Sequence, residues 1–169
     1  MKTNLVMTVL GPDRPGLVQS LSAVVADHGG NWLESRMARM AGQFAGILRV
    51  ECPAGSTDGL IAALEGVRQS GLAVQVARED LAEVAERVTL TIDVVGNDRP
   101  GIVRQLAAAI ASVGGNVEEL TTGLESAPMS GHPIFRARGV VSMPEGSDAS
   151  RLSAAIEYLG TDLSVDIAL

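Results

Sequence analysis

The hexapeptide GPDRPG at residues 11–16 returns as GNDRPG at residues 96–101, and this repetition constrains the fold more than any other feature of the chain. Each copy follows an alternating apolar run and precedes a helical pattern that closes on Gly-Gly-Asn, at residues 29–31 and again at 114–116. Both landmarks lie 85 positions apart (11 to 96, 29 to 114), so nothing is inserted between turn and triplet. A repeat of fixed length is one supersecondary unit built twice. We therefore expect two domains, residues 1–80 and 88–169, joined by a linker at 81–87.

Within the first unit, residues 3–10 alternate as a strand with Leu5, Met7 and Val9 on one face. The turn feeds a helix to about His28, with Asp13 as its expected cap and Pro15 in its first turn. Leu17, Leu21, Val24 and Val25 make its apolar stripe, and Gly29-Gly30 ends it. Strands follow from Asn31 to about Ala38 and from Phe44 to Glu51, around a short turn at 41–43. Ser56 or Thr57 caps a second helix reaching Ser70, with Gly71 as its stop, and Leu72, Val74 and Val76 alternate as a fourth strand. The second unit repeats this order. Strands are expected at 88–95, 116–125, 134–142 and 163–168, and helices at 100–113 and 147–158. The order β-α-β-β-α-β implies an α+β, ferredoxin-like fold in each unit: a four-stranded antiparallel sheet with two helices on one face. One helical turn through Leu81 and Val84 is expected in the acidic linker. The second hairpin turn is longer by six residues, at 126–133; its use, as a contact or as tolerated surface variation, stays open.

Composition narrows the function. Aromatics are 2% of the chain against 46% apolar residues, so the cores must be aliphatic. The net charge is -7 and Lys2 is the only lysine, which leaves no basic field for direct nucleic-acid binding. One cysteine, Cys52, fits a reducing compartment. The alternating N-terminal strand is neither a leader peptide nor a membrane span, so a cytoplasmic protein is expected. Two histidines and one cysteine are too few for a zinc site of nitrogen and sulfur ligands. His28 reads as a helix-end residue, Met37 and Met40 as gap fillers, and Ser20, Ser22 and Ser35 have no base in reach. No catalytic set emerges, so a non-enzyme without metal or cofactor is expected.

The turns themselves offer backbone at a helix start, where N–H groups favour an anion. Candidate ligand-binding residues are Gly11, Asp13, Gly16, Leu17 and Asn31 in the first unit, and Asn97, Asp98, Gly101, Ile102 and Asn116 in the second. A carboxylate would lie on the N–H groups and an ammonium on the Asn side chains. The alternative, that these are simply good β-α turn residues with Asn opening a strand, stays open. So does the role of Arg14 and Arg99, as carboxylate partners or as partners of the acidic surface.

The paired D-R-P-G-[LI]-V turns and G-G-N triplets resemble tandem ACT domains, regulatory modules that typically bind small molecules such as amino acids. The arrangement of the whole chain, with Ser130–Phe135 reading S-G-H-P-I-F before a strand RARGVVSMP, is similar to the glycine cleavage system transcriptional repressor family. The turn is shared with the amino-terminal ACT domain of formyltetrahydrofolate deformylase, but here a second ACT unit stands where that enzyme continues into a formyltransferase-like domain. The resemblance implies a glycine-sensing, homodimeric protein that restrains a LysR-type transcriptional activator by protein contact. Because Pro12 replaces Asn97 in the first turn and cannot donate a hydrogen bond, the second turn is expected to be the better ligand site.

Overall fold

The computed structural model describes residues 1–79, 86–127, 129 and 131–169. The chain divides into two compact units. In the first, β1 (Lys2–Pro12), α1 (Leu17–Asp27), β2 (Asn31–Met40), β3 (Gln43–Pro53), α2 (Thr57–Gly66) and β4 (Ala73–Arg78) follow in order. In the second, β5 (Arg87–Asn97), α3 (Ile102–Ser112), β6 (Asn116–Ser126), β7 (Pro133–Pro144), α4 (Ala149–Glu157) and β8 (Ser164–Ala168) repeat them. The sheets are antiparallel with strand orders β2-β3-β1-β4 and β6-β7-β5-β8. This is the ferredoxin-like α+β architecture, built twice.

Period-2 burial makes each sheet two-faced. Leu5, Met7 and Val9 of β1 are buried against Leu17, Leu21 and Val25 of α1, and Leu90, Ile92 and Val94 of β5 against Ile102, Leu106 and Ile110 of α3. Burying three such side chains stabilises a helix of this length by about 6 kcal/mol, far more than its intrinsic propensity. Phe44 and Phe135 are the buried aromatics; the remaining core residues are aliphatic apart from Cys52 and two methionines. Both second strands carry a bulge at one position, between Trp32 and Glu34 and between Val117 and Glu119, so the duplication extends to an irregularity of the ladder.

Several boundaries differ from the sequence expectation for local reasons. The first helix of each unit begins at Leu17 or Ile102, after the proline, because Gly16 (φ 88°) and Gly101 (φ 84°) take the left-handed conformation at the N-cap. Neither cap carries a side-chain hydrogen bond. Asp13 therefore does not cap α1: its carboxylate pairs with Arg39 Nε at 2.7 Å. Ser56 and Thr57 do not cap α2 either. Thr57 is buried, and its hydroxyl donates to the Pro53 carbonyl at 3.4 Å. α2 tightens into a 3-10 turn at residues 67–70 before the left-handed Gly71. α4 is capped by Asp148, which accepts from the Ser150 N–H at 2.9 Å. The helical turn expected through Leu81 and Val84 lies outside the described residues. No helix among the described residues is long and apolar enough to cross a membrane.

Candidate ligand-binding turns

Each β-α turn is held from two sides by backbone. The Asp13 N–H donates to the Gly42 carbonyl at 2.9 Å, and the Asp98 N–H to the Pro133 carbonyl at 3.1 Å, which ties the turn to the neighbouring hairpin. Gly11 leaves no room for a side chain, since a Cβ there would lie 2.6 Å from the Gly71 carbonyl oxygen. Gly96 is pressed in the same way by the Leu163 side chain. Gly16 and Gly101 face open space instead, so there it is the positive φ that requires glycine. Leu17 and Ile102 are buried and anchor the helix start.

The two turns part company at one residue. In the second unit Asp162 lies against the turn. Its carboxylate accepts from the Asn97 backbone N–H at 3.1 Å and pairs with Arg99 at 3.4 Å. Those contacts hold the Asp162 carboxyl below its ordinary range, the Asn97 N–H being the largest cause. Arg99 is spoken for elsewhere too: it donates to the Gln105 side-chain oxygen and, at 2.9 Å, to the Leu159 carbonyl. The Ile102 N–H is taken by the Arg99 carbonyl at 3.2 Å. A protein carboxylate thus already takes the Asn97 N–H at the end of β5 and pairs with the arginine of the turn. In the first unit the strand register puts Gly71 where Asp162 stands, and Ser20 where Gln105 stands. Arg14 is exposed. The two turns therefore differ in charge: in the second, Arg99 is paired with Asp162 and the Asn97 N–H is in use, whereas the first has glycine at the Asp162 position.

Asn31 and Asn116 sit at the far end of their sheets. Asn31 pairs in register with Glu51, which pairs with Asn4; Gly11 is seven residues further along β1, about 23 Å away at strand rise. Within one unit the turn and the triplet are not brought together. Each asparagine instead joins a polar clasp. Asn116 Nδ2 donates to Glu118 at 2.8 Å, Ser142 Oγ donates to the same carboxylate at 2.6 Å, and Arg87 holds Ser142 and the Gly114 carbonyl. In the first unit Lys2 and Asn31 converge on Glu51. The acid has changed strand, from β3 in the first unit to the bulge of β6 in the second, where Leu33 and Glu118 are equivalents. The clasp carboxylates are lowered from their ordinary range, Glu51 chiefly by Lys2 and Glu118 chiefly by Ser142.

The outer face of the second sheet holds a group that the sequence reading did not single out. Asp93 receives two hydrogen bonds from Arg136, at 2.9 and 2.7 Å, and one from Arg138 at 3.1 Å. Arg136, then Arg138, pull its carboxyl down to about 2. The signal was the i, i+2 spacing of the two arginines on one strand, unreadable without the register that sets Asp93 opposite Arg138. His28 closes α1, with Nδ1 2.8 Å from the Val24 carbonyl oxygen, and Cys52 is buried beside Thr57. Part of the long 126–133 turn (Pro128 and Ser130) lies outside the described residues. No group of three His, Cys, Asp or Glu among the described residues is placed to hold a metal.

An ACT domain family model matches residues 3–79. The chain is 30% identical to a phosphoserine phosphatase of Mycobacterium tuberculosis over 99% of its own length, spanning 41% of that protein. It is 26% identical to the glycine cleavage system transcriptional repressor of Escherichia coli, covering 95% of this chain and 85% of the repressor. A crystal structure of a protein from Galdieria sulphuraria superposes with a TM-score of 0.85 at 28% identity, covering 99% of this chain and 98% of that one. With one ACT domain matched over residues 3–79 and its strand order, register and bulge repeated in the second unit, the chain carries the ACT-type fold twice and is similar to the glycine cleavage system transcriptional repressors.

Proposed function

We propose that the protein is a non-enzymatic, amino-acid-sensing regulator of the glycine cleavage repressor type. It acts as a homodimer in the cytoplasm, by protein contact with a LysR-type transcriptional activator and without touching nucleic acid itself. The observation that carries this reading is the extent of the likeness to the Escherichia coli repressor, which runs through both units rather than one. The chain's charge of -7 agrees with an indirect role at DNA.

The ligand in this reading is a small amino acid such as glycine, its carboxylate on the first turn beside Gly16, Leu17 and Arg14. The second turn, carrying Asp162, serves as the structural copy. Titration calorimetry of the chain with glycine and a panel of amino acids tests the sensing half; silence towards all of them at millimolar concentration sinks it. Capture of a LysR-type activator from cell extract, with glycine present and absent, tests the partner.

A second reading rests on the phosphatase match: the same pair of domains serving as the regulatory portion of a phosphoserine-handling enzyme. It keeps amino-acid sensing and changes the partner. Capture from cell extract separates the two: a LysR-type activator in the first reading, a phosphoserine-handling enzyme in the second.

A further inference from the structure

The two β-α turns share a backbone form but are fastened by different side chains. In the second unit Arg99 bridges three pieces of chain. It donates to Gln105 Oε1 on α3 at 3.1 Å and to the Leu159 carbonyl beyond α4 at 2.9 Å, and it pairs with Asp162 ahead of β8. Asp162 in turn accepts from the Asn97 N–H. In the first unit the same positions close on themselves. Ser20, at the Gln105 position, gives its hydroxyl to the Gly16 carbonyl at 3.0 Å. In the loop ahead of β4, Ser70 Oγ donates to the Val67 carbonyl at 2.6 Å and the Gly71 N–H to the Arg68 carbonyl at 2.9 Å. Pro12 has no N–H to offer at the Asn97 position. Among the described residues, no ion pair or side-chain hydrogen bond joins residues 12–16 to that loop.

We propose that Arg99 and Asp162 form a latch holding the second turn against the α4–β8 loop, and that the first turn, without a latch, opens locally while its sheet stays folded. The first turn has one fastening of its own, the pair of Asp13 with Arg39 on β2. The Arg39 side chain is 69% exposed, whereas those of Arg99 and Asp162 are each 30% exposed, so water screens the first pair more. A guanidinium with three protein acceptors outweighs one screened pair. The duplicated fold thus carries one rigid turn and one that can reshape. The opening needs no ligand, so the inference stands apart from what the first turn binds.

Backbone amides at matched positions supply the test. The Asp13 N–H bonds to the Gly42 carbonyl at 2.9 Å and the Asp98 N–H to the Pro133 carbonyl at 3.1 Å. The Ser20 and Gln105 N–H groups bond to the Gly16 and Gly101 carbonyls at 2.9 and 3.0 Å. Bond length alone would therefore protect the first unit at least as well as the second. Hydrogen exchange of the full chain, followed by NMR without added ligand, should instead give Asp98 and Gln105 protection factors about fivefold or more above those of Asp13 and Ser20. Arg99→Gln removes the bridge, and Asp162→Gly installs the residue of the first unit. Each should narrow the gap and leave Asp13 and Ser20 unchanged, with circular dichroism confirming the fold. Equal or greater protection in the first unit of the natural protein, or a gap that either variant leaves unchanged, overturns the latch.

Discussion

Asp162 and Gly71 occupy one position of the duplicated fold and give its two turns different chemistry. Arg14 and Arg99 should accordingly respond to substitution in opposite ways. Arg14→Gln weakens amino-acid binding about tenfold, one charge-assisted contact, with an unchanged unfolding midpoint. Arg99→Gln leaves binding intact but costs about 1 kcal/mol of stability in urea titration, because its contacts to Gln105, Leu159 and Asp162 are internal. Equal loss of binding in both would contradict the assignment. Asp93 sets the acid limb of stability. Its carboxyl titrates at about 2 in the fold and near 3.9 when unfolded, so the unfolded chain takes the proton first. Its contribution is complete above about pH 5 and is lost as pH falls through 4 towards 2. The full shift corresponds to somewhat over 2 kcal/mol; with the side chain 30% exposed, screening brings this to about 1 kcal/mol. Asp93→Asn should lose that amount at pH 7 and flatten the stability profile between pH 5 and 2.

At the scale of elements, helix starts and strand ends carry the specificity of the repeat. Gly101 faces open space at φ 84°, so Gly101→Ala measures backbone strain alone and should cost about 1–2 kcal/mol by urea denaturation. The Asn116 clasp makes a complementary case: Asn116→Ala removes a bond to the Glu118 carboxylate and should cost about 1 kcal/mol while leaving ligand affinity unchanged. Loss of affinity without loss of stability would restore Asn116 to the ligand site. The elements themselves were legible in the sequence, because Leu5, Met7 and Val9 alternate and Leu17, Leu21 and Val25 recur at helical spacing. Capping was not. DRPG reads as an aspartate cap with proline at the helix start, but the glycine that follows must turn left-handed first, which moves the helix two residues on and frees Asp13 for Arg39. The site was half legible. The turns announce themselves by repetition, whereas Asp162 lies more than sixty residues from Asn97 in sequence and reaches it only through the β5–β8 pairing. The same long-range register carries Asn31 and Asn116 to the opposite sheet end, which no local pattern reveals.

For the molecule as a whole, duplication has produced two units of one fold whose turns and outer sheet faces carry different side chains. In the first, glycine stands at the Asp162 position and the outer sheet face carries Arg49 paired with Glu34 and Glu79; in the second, Asp162 lies against the turn and Asp93, Arg136 and Arg138 pair on the outer face. The measurement that bears most directly on the difference between the turns is calorimetric titration of the full chain with glycine and a panel of amino acids, repeated for Arg14→Gln and Arg99→Gln. We predict one amino acid bound per chain, weakened about tenfold by Arg14→Gln and unchanged by Arg99→Gln. No heat from any amino acid at millimolar concentration, or binding that depends on Arg99 and not Arg14, would contradict the account.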